Sequence, residues 1–270
     1  MNNESMSGWN VQEMLKRGFF TIVFQPVIEL KTNRIHGYEA LFRGPREIPM
    51  VEPAAVFHNR DLLPNNVLLD TDIKCIEKAL QLGRHLPENS LLFINVHHLT
   101  LKHLSENEIF LRGLLDNLRI NPSKIVFEIS ENTMLTEMID VRSNVAFLRK
   151  MGANFALDDI GLSSAWLQNL LLFEPQFAKV DRTIFSEVEK SKKKKNLLNG
   201  LVVLSQTIGL SLIVEGVETE EEFSMIKEIG VQFAQGYFLG IPRELEYWIS
   251  GAHKEERSFP ALLECGEEDC

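Results

Sequence analysis

The chain has 270 residues, with 44 % hydrophobic and 24 % charged residues, and 28 Lys+Arg against 38 Asp+Glu for a formal net charge of −10. This is the composition of a globular chain with a sizeable core, and it excludes a disordered, collagenous or coiled-coil whole. A chain this acidic repels phosphate on average, so neither DNA nor a membrane surface is an expected partner, and a phosphate-bearing ligand would require a local inversion of the field.

Residues 1–18 read as a short helical lead without the apolar core of a signal peptide. No apolar run reaches the ~18 residues of a membrane span. Three cysteines, Cys75, Cys265 and Cys270, are too few for a disulfide scaffold. They fit a reducing, cytoplasmic compartment.

In chain order, apolar β-rich runs predict strands at 21–28 and 36–42. About eight residues join them, too few for a crossover helix, so they should form an antiparallel hairpin. Helix 67–86, strand 91–96, helix 99–118 and strand 125–130 follow. Then come helix 141–151, strand 154–159, helix 165–173, strand 177–181, helix 197–208, strand 210–217, helix 220–229 and strand 231–237. Most of the strands are continuous apolar runs, as expected of strands buried on both faces of a parallel sheet. Gly152, Gly209 and Gly230 each stand between a helix and a strand, where a left-handed cap is wanted. Thr219 and Glu222 have the spacing of a capping box. Eight strands alternating with helices in this length predict a (β/α)8 TIM-barrel-like α/β fold with an antiparallel first strand, a doubly wound open sheet being the alternative. The domain reading is a lead over 1–18, a barrel over 19–250 and a polar tail over 251–270.

Each strand carries polar residues inside its apolar run: Gln25, Glu39, Asn95, Glu128, Asp158 with Asp159, Lys179, Glu215 and Gln235. A charged residue is rarely buried without a partner, and a set running through all eight strands is not explained by solvated strand ends. In a parallel barrel the strand C-termini converge on one face, which carries the active site. Five carboxylates there, with a single lysine, call for cations. The donors are all oxygens, which select Mg²⁺, Mn²⁺ or Ca²⁺. Two ions bridged by Asp158 and Asp159 would suit phosphodiester hydrolysis and would supply the missing field inversion. A glycosidase working with two carboxylates and no metal is the competing reading of the acids alone. His97 and His98 read as helix or loop surface, and Lys190 with Lys192 to Lys195 as a solvated loop before a helix.

Glu39-Ala40-Leu41 with Phe42-Arg43, the upstream Gln25-Pro26, and then FINV, FEISE, ALDD, AKVD, EGVE and QGY in order resemble the EAL-domain family of cyclic di-GMP phosphodiesterases across about residues 20–242. The resemblance implies a (β/α)8-like barrel with an antiparallel first strand, acting as a stand-alone EAL domain that opens cyclic di-GMP to linear pGpG. It further implies that Glu39, Asn95, Glu128 and Asp158 hold one metal ion and that Asp158 and Asp159 serve a second, Mg²⁺ or Mn²⁺. Lys179 and Glu215 would position or deprotonate the attacking water, with Gln235 supporting the site. Gln25 and Arg43 would contact the dinucleotide, and Glu131 would brace the loop after the paired aspartates. The family dimerises, which implies a homodimer, and an isolated catalytic domain implies a regulatory protein partner. The loop at 159–166 departs from the family's Asp-Phe-Gly-Thr-Gly-Tyr-Ser-Ser. This leaves open a second reading, a weak or silent protein that binds cyclic di-GMP or a protein partner.

Overall fold

The structure, a computed structural model, describes residues 11–44, 64–130, 138–161 and 166–251. The elements are α1 (Val11–Lys16), β1 (Thr21–Glu29), β2 (Arg34–Arg43), α2 (Asn65–Gly83), β3 (Leu91–Asn95), α3 (His98–Glu106), α4 (Glu108–Leu118), β4 (Ile125–Ser130) and α5 (Met138–Met151). They continue as β5 (Asn154–Ile160), α6 (Trp166–Phe173), β6 (Phe177–Val180), α7 (Arg182–Phe185), α8 (Lys192–Ile208), β7 (Ser211–Glu215), α9 (Glu220–Ile229), β8 (Phe233–Gln235) and α10 (Leu245–Ile249).

The eight strands close into a barrel in sequence order, which removes the open-sheet alternative. β1 runs antiparallel to both its neighbours, β2 and β8. All other neighbouring strands pair in parallel. The expected hairpin is therefore present.

Side chains alternate along a strand with period two, so every second residue points into the barrel. One inward layer is apolar: Val27, Phe93, Val126, Ala156, Phe177, Ile213 and Phe233 pack together as a separate buried cluster. At the β2 position of this layer stands Gly37, where a Cβ would lie 2.8 Å from the Phe93 ring and 2.7 Å from the Leu91 carbonyl. The missing side chain there leaves room for Phe93. Two residues further along each parallel strand lie Glu39, Asn95, Glu128, Asp158, Lys179, Glu215 and Gln235. On the reversed β1 the matching residue, Gln25, lies two residues earlier than Val27. The polar layer is thus a direct consequence of the period, and it rests on a dry floor.

The outward faces of the strands pack against the helices in the larger core. Outside β1 and β2, Trp248 of α10 is buried, donates its indole N–H to the Phe24 carbonyl at 2.8 Å and lies 5.4 Å from the Tyr38 ring. Gly152, Gly209 and Gly230 adopt φ of 83°, 72° and 88°, as the repeated helix-to-strand joint requires.

Several element boundaries shift by one to three residues from the sequence reading, and three differences have an identifiable cause or extent. The stretch 99–118 is two helices, broken at Asn107 (φ −123°, ψ 53°). The Asn107 amide donates to the His103 carbonyl at 2.9 Å, offering the backbone an alternative to the next helical turn. Lys192 to Lys195 form the first turn of α8 rather than a loop. Ser191 caps that turn by accepting from the Lys194 amide, and the Lys194 ammonium binds the Ser186 carbonyl at 2.7 Å while Lys195 pairs with Glu228 at 3.0 Å. These contacts offset the poor fit of lysines to a helix N-terminus. α2 ends at Gly83, short of the expected 86.

The Phe93→Ala substitution empties the centre of the inner floor. It should destabilise the protein by about 3–5 kcal/mol, measured as a shift in the urea unfolding midpoint with unchanged slope.

Candidate functional site

Lys179 comes from β6, where all four residues are buried, and its side chain is 1 % exposed. Its ammonium lies 2.6 Å from Glu215, 2.9 Å from Glu128, 3.2 Å from Glu39 and 3.7 Å from Asp158. A second set of contacts orients Glu39. The Asn95 amide donates to its Oε1 at 2.8 Å, and the Gln235 amide donates to its Oε2 at 2.6 Å and to the Gln25 Oε1 at 3.0 Å. Gln25 in turn donates to the Gly240 carbonyl at 2.9 Å. Eight of the sequence-selected residues therefore form one connected cluster at the C-terminal ends of the parallel strands.

Asp159 sits beside this cluster in a strained backbone. Its φ is 60°, and the β5–β6 register shifts between Leu157 and Ile160. A left-handed non-glycine residue costs on the order of 1 kcal/mol or more and persists where its surroundings over-determine it. Here the Asp159 amide donates to the Asp158 carboxylate at 2.9 Å, which turns both aspartates toward the site. Asp158, Asp159 and Glu215 each offer an oxygen within 4.8 Å of the others. Arg43 stands apart: its guanidinium donates to its neighbour's carbonyl, that of Phe42, at 2.7 Å. Glu131 and loop residues 162–165 lie outside the described residues, as do Cys265 and Cys270.

The electrostatics divide the group. Burial works against the Lys179 charge, but Asp158, Glu128, Glu215 and Glu39 hold its pKa well above the ordinary lysine value, so it remains an ammonium. Burial also works against Glu39, yet Lys179 and the Gln235 and Asn95 amides hold its carboxyl below the usual range. Burial pushes the Glu128 carboxyl well above its ordinary value, reinforced by the neighbouring Glu39. Burial likewise raises Glu215, against the pull of Lys179. Asp159 is pushed up to about 7 by burial and by the charge of Asp158. One cation does not satisfy five acids.

Two further observations bear on whether a cation fits. The Glu128 Oε1 faces only the Lys179 ammonium, at 2.9 Å, while its Oε2 and the Oε1 of Gln235 are buried with no hydrogen-bond donor among the described residues. Such acceptors are costly to leave bare. All the donor atoms are oxygens, the ligand type of hard divalent ions. The residues present fit a divalent metal.

Beside the cluster opens a cleft of about 340 Å³, lined by Gln25, Glu39, Glu215 and Gln235 on the cluster side and by Asp181, Arg182, Glu218 and Tyr237 on the other. Arg182 and Tyr237 were not singled out by sequence. The local signals are their place, within three residues of Lys179 and Gln235, and for Tyr237 its position in the QGY motif. A larger cavity, about 820 Å³, lies at the opposite end of the barrel around the starts of β3 and β4. It contains none of the cluster residues.

The sequence pattern of the EAL domain family matches residues 10–242. The chain belongs to the EAL domain family. This EAL chain is 28 % identical over 241 residues to the cyclic di-GMP phosphodiesterase RocR of Pseudomonas aeruginosa, covering 87 % of this chain and 60 % of that one. It is 27 % identical over 251 residues to the probable cyclic di-GMP phosphodiesterase PdeN of Escherichia coli, covering 90 % of this chain and 47 % of that one. The chain thus spans 60 % or less of the length of these curated relatives. Among solved structures, the EAL barrel superposes on Klebsiella pneumoniae BlrP1 in a manganese and cyclic di-GMP complex with a TM-score of 0.74 at 25 % identity, over 83 % of this chain and 56 % of that one. It superposes on a standalone EAL protein from Vibrio cholerae O395 in its cyclic di-GMP-bound form with a TM-score of 0.69 at 25 % identity, over 84 % and 93 % of the two chains.

Glu128→Gln replaces a buried, under-satisfied carboxylate, one oxygen of which has no donor, by a neutral isostere. In the presence of chelator this variant should melt at a higher temperature than the parent. The parent should gain stability on adding Mn²⁺, and the variant should not. Thermal unfolding with and without the ion reads both effects.

Proposed function

We propose that this EAL protein is a divalent-metal-dependent phosphodiesterase that hydrolyses cyclic di-GMP to linear pGpG. The observation that carries this reading is the convergence of Glu39, Glu128, Asp158 and Glu215 on one buried ammonium, with Asp159 alongside. Glu39, Asn95, Glu128 and Asp158 would hold one ion, and Asp158 and Asp159 a second, with a Glu215 oxygen within reach of that pair. Two such ions, Mg²⁺ or Mn²⁺, would lower the pKa of a nearby water and offset the charge on the phosphoryl oxygens.

The chain's own groups take distinct parts. The Lys179 ammonium, held by four carboxylates, would serve as a fixed positive charge and hydrogen-bond donor beside the attacking water. Glu215 is exposed toward the cleft, lies 2.6 Å from Lys179 and has a raised pKa. It is the group suited to take the proton of the attacking water as the new P–O bond forms and the bridging P–O bond breaks, the leaving ribose oxygen taking up a proton from solvent in the open cleft. Gln235 and Asn95 lock the Glu39 carboxylate, and Gln25 and Arg43 would contact the dinucleotide. Glu131 would brace the loop that follows Asp159.

The receptor reading gains no support from the described residues, because a pure binder has no chemical need for a complete set of acids around a lysine. The glycosidase reading needs two acids and gives the lysine no part. A homodimer is supported by α6, whose exposed face carries Leu167, Leu171 and Leu172, with Leu171 71 % exposed. An uncharged patch of this kind marks a protein contact. Cytoplasmic residence and a regulatory partner complete the proposal; among the described residues no helix is long and apolar enough to cross a membrane.

Purified protein with Mg²⁺ or Mn²⁺ should convert cyclic di-GMP to pGpG, read by chromatography, and EDTA should abolish the product. Glu39→Ala should lower kcat by about 10³-fold or more, the loss of several kcal/mol of metal-borne stabilisation. A wild-type protein that gives no product with either ion overturns the enzyme reading. Leu171→Glu should shift the sedimentation profile toward monomer without lowering the melting temperature.

A further inference from the structure

The Thr219–Glu222 capping box is only half made. Thr219 accepts from the Glu222 amide at 3.2 Å, as the motif requires. The Glu222 carboxylate, however, is engaged elsewhere. It is 2 % exposed; its Oε2 accepts from the Glu218 amide at 3.0 Å and from the Arg182 guanidinium at 3.1 Å, and its Oε1 accepts from the Glu187 amide at 3.2 Å. A helix-capping role alone does not need a buried ion pair or a donor from another βα unit.

Arg182 is the other half of this arrangement. It follows β6, three residues after Lys179. The nitrogen that reaches Glu222 also donates to the Gly216 carbonyl, and the second terminal nitrogen pairs with Glu218 at 2.9 Å. Gly216 directly follows Glu215 and has φ of 78°. A Cβ there would sit 3.1 Å from the Arg182 side chain, so the close approach of the arginine depends on glycine. The planar fork of one arginine thus spans the exits of β6 and β7, the two strands that deliver Lys179 and Glu215 to their 2.6 Å contact.

We infer that the Arg182–Glu222 pair is a positioning element for Glu215: by holding the Gly216 carbonyl against the β6 exit, it fixes the direction in which the Glu215 carboxylate faces Lys179 and the paired aspartates. This rests on the functional reading above for what Glu215 does, but the geometric claim is separate from it. Lysine at position 182 would keep one charge and lose the fork, so it cannot hold Gly216, Glu218 and Glu222 together. Glutamine at position 222 would keep one acceptor oxygen and lose the ion pair.

A double-mutant cycle tests the inference, using Arg182→Lys, Glu222→Gln and Arg182→Ala, each in the wild-type and the Glu215→Gln background. Two quantities are read: Mn²⁺ affinity by calorimetry, and kcat and KM for cyclic di-GMP. Partners that orient a ligand residue change metal affinity or activity by roughly 10–100-fold when removed. In the wild-type background each change at 182 or 222 should therefore weaken Mn²⁺ binding and kcat within that range, Arg182→Lys less than Arg182→Ala, with KM little changed. In the Glu215→Gln background the same changes should have no further effect, because the group they aim is gone. A purely structural role would lower both backgrounds by the same factor, and that result overturns the inference while leaving the enzyme reading in place. If wild type binds Mn²⁺ and shows the coupling but forms no pGpG, the enzyme reading fails and the inference stands. If wild type neither binds Mn²⁺ nor turns over, both are overturned. Arg182→Lys and Glu222→Gln keep the cycle readable if Arg182→Ala does not fold.

Discussion

One ammonium group, buried in the mouth of the barrel, sets the terms for the rest of the structure. Among the described residues the Lys179 charge is the one cation among four carboxylates within 3.7 Å of it, and it is the reason those acids can be placed there at all. Taking several ions out of water is unfavourable, and their mutual attraction repays this only with good geometry and satisfied hydrogen bonds. Here the satisfaction is unequal. Glu39 has two amide donors besides the lysine, whereas Glu128 has the lysine alone among the described residues, its Oε2 left without a donor. The protein holds a local deficit of positive charge that folding has not relieved, in a chain that is already acidic overall. Such a deficit is tolerated where another species is to be bound, and any anion could approach this acidic face only in company with cations.

The deficit depends in turn on the apolar floor. Val27, Phe93, Val126, Ala156, Phe177, Ile213 and Phe233 fill the barrel directly below the polar layer, leaving the lysine stem no wet exit downward. Bulk at one position is balanced by its absence at another, as with Phe93 against Gly37. The two layers are two residues apart on every strand, so the rule that makes a dry core also lines up the acids above it. β5 is where the regular alternation breaks. Asp158 and Asp159 are consecutive, and period two would send the second outward; the left-handed turn at Asp159 and the shifted register keep it near the site.

This periodicity explains what could be read from sequence. The strands, the closed architecture and the eight clustered side chains were legible because a polar residue inside an apolar strand is conspicuous, and its spacing from the floor is local information. The break at Asn107 and the helical start at Lys192 were less legible, because side-chain contacts to the backbone and to neighbouring elements decide them. Glu222 shows the sharper limit. Its spacing from Thr219 announces a helix cap, which is half correct, and nothing local tells that its carboxylate is committed to an arginine forty residues away. Arg43 illustrates the reverse: it stands in the most recognisable motif of the chain, yet the one contact its guanidinium makes among the described residues is to its own neighbour's carbonyl.

The reversed first strand has a consequence for how the barrel is wired to whatever precedes it. In an all-parallel barrel the chain enters the first strand at the floor end, far from the reacting groups. Here Thr21 pairs with Arg43, the last residue of β2, so the polypeptide enters the barrel at the rim that carries the acids. α1 lies just upstream of that entry, and the carbonyls of Lys16 and Phe20 are held by Lys74 and Lys78 of α2. A domain grafted ahead of this segment would therefore pull on the acid-bearing rim itself, and its force would reach the β1–β2 pair without first crossing the packed interior.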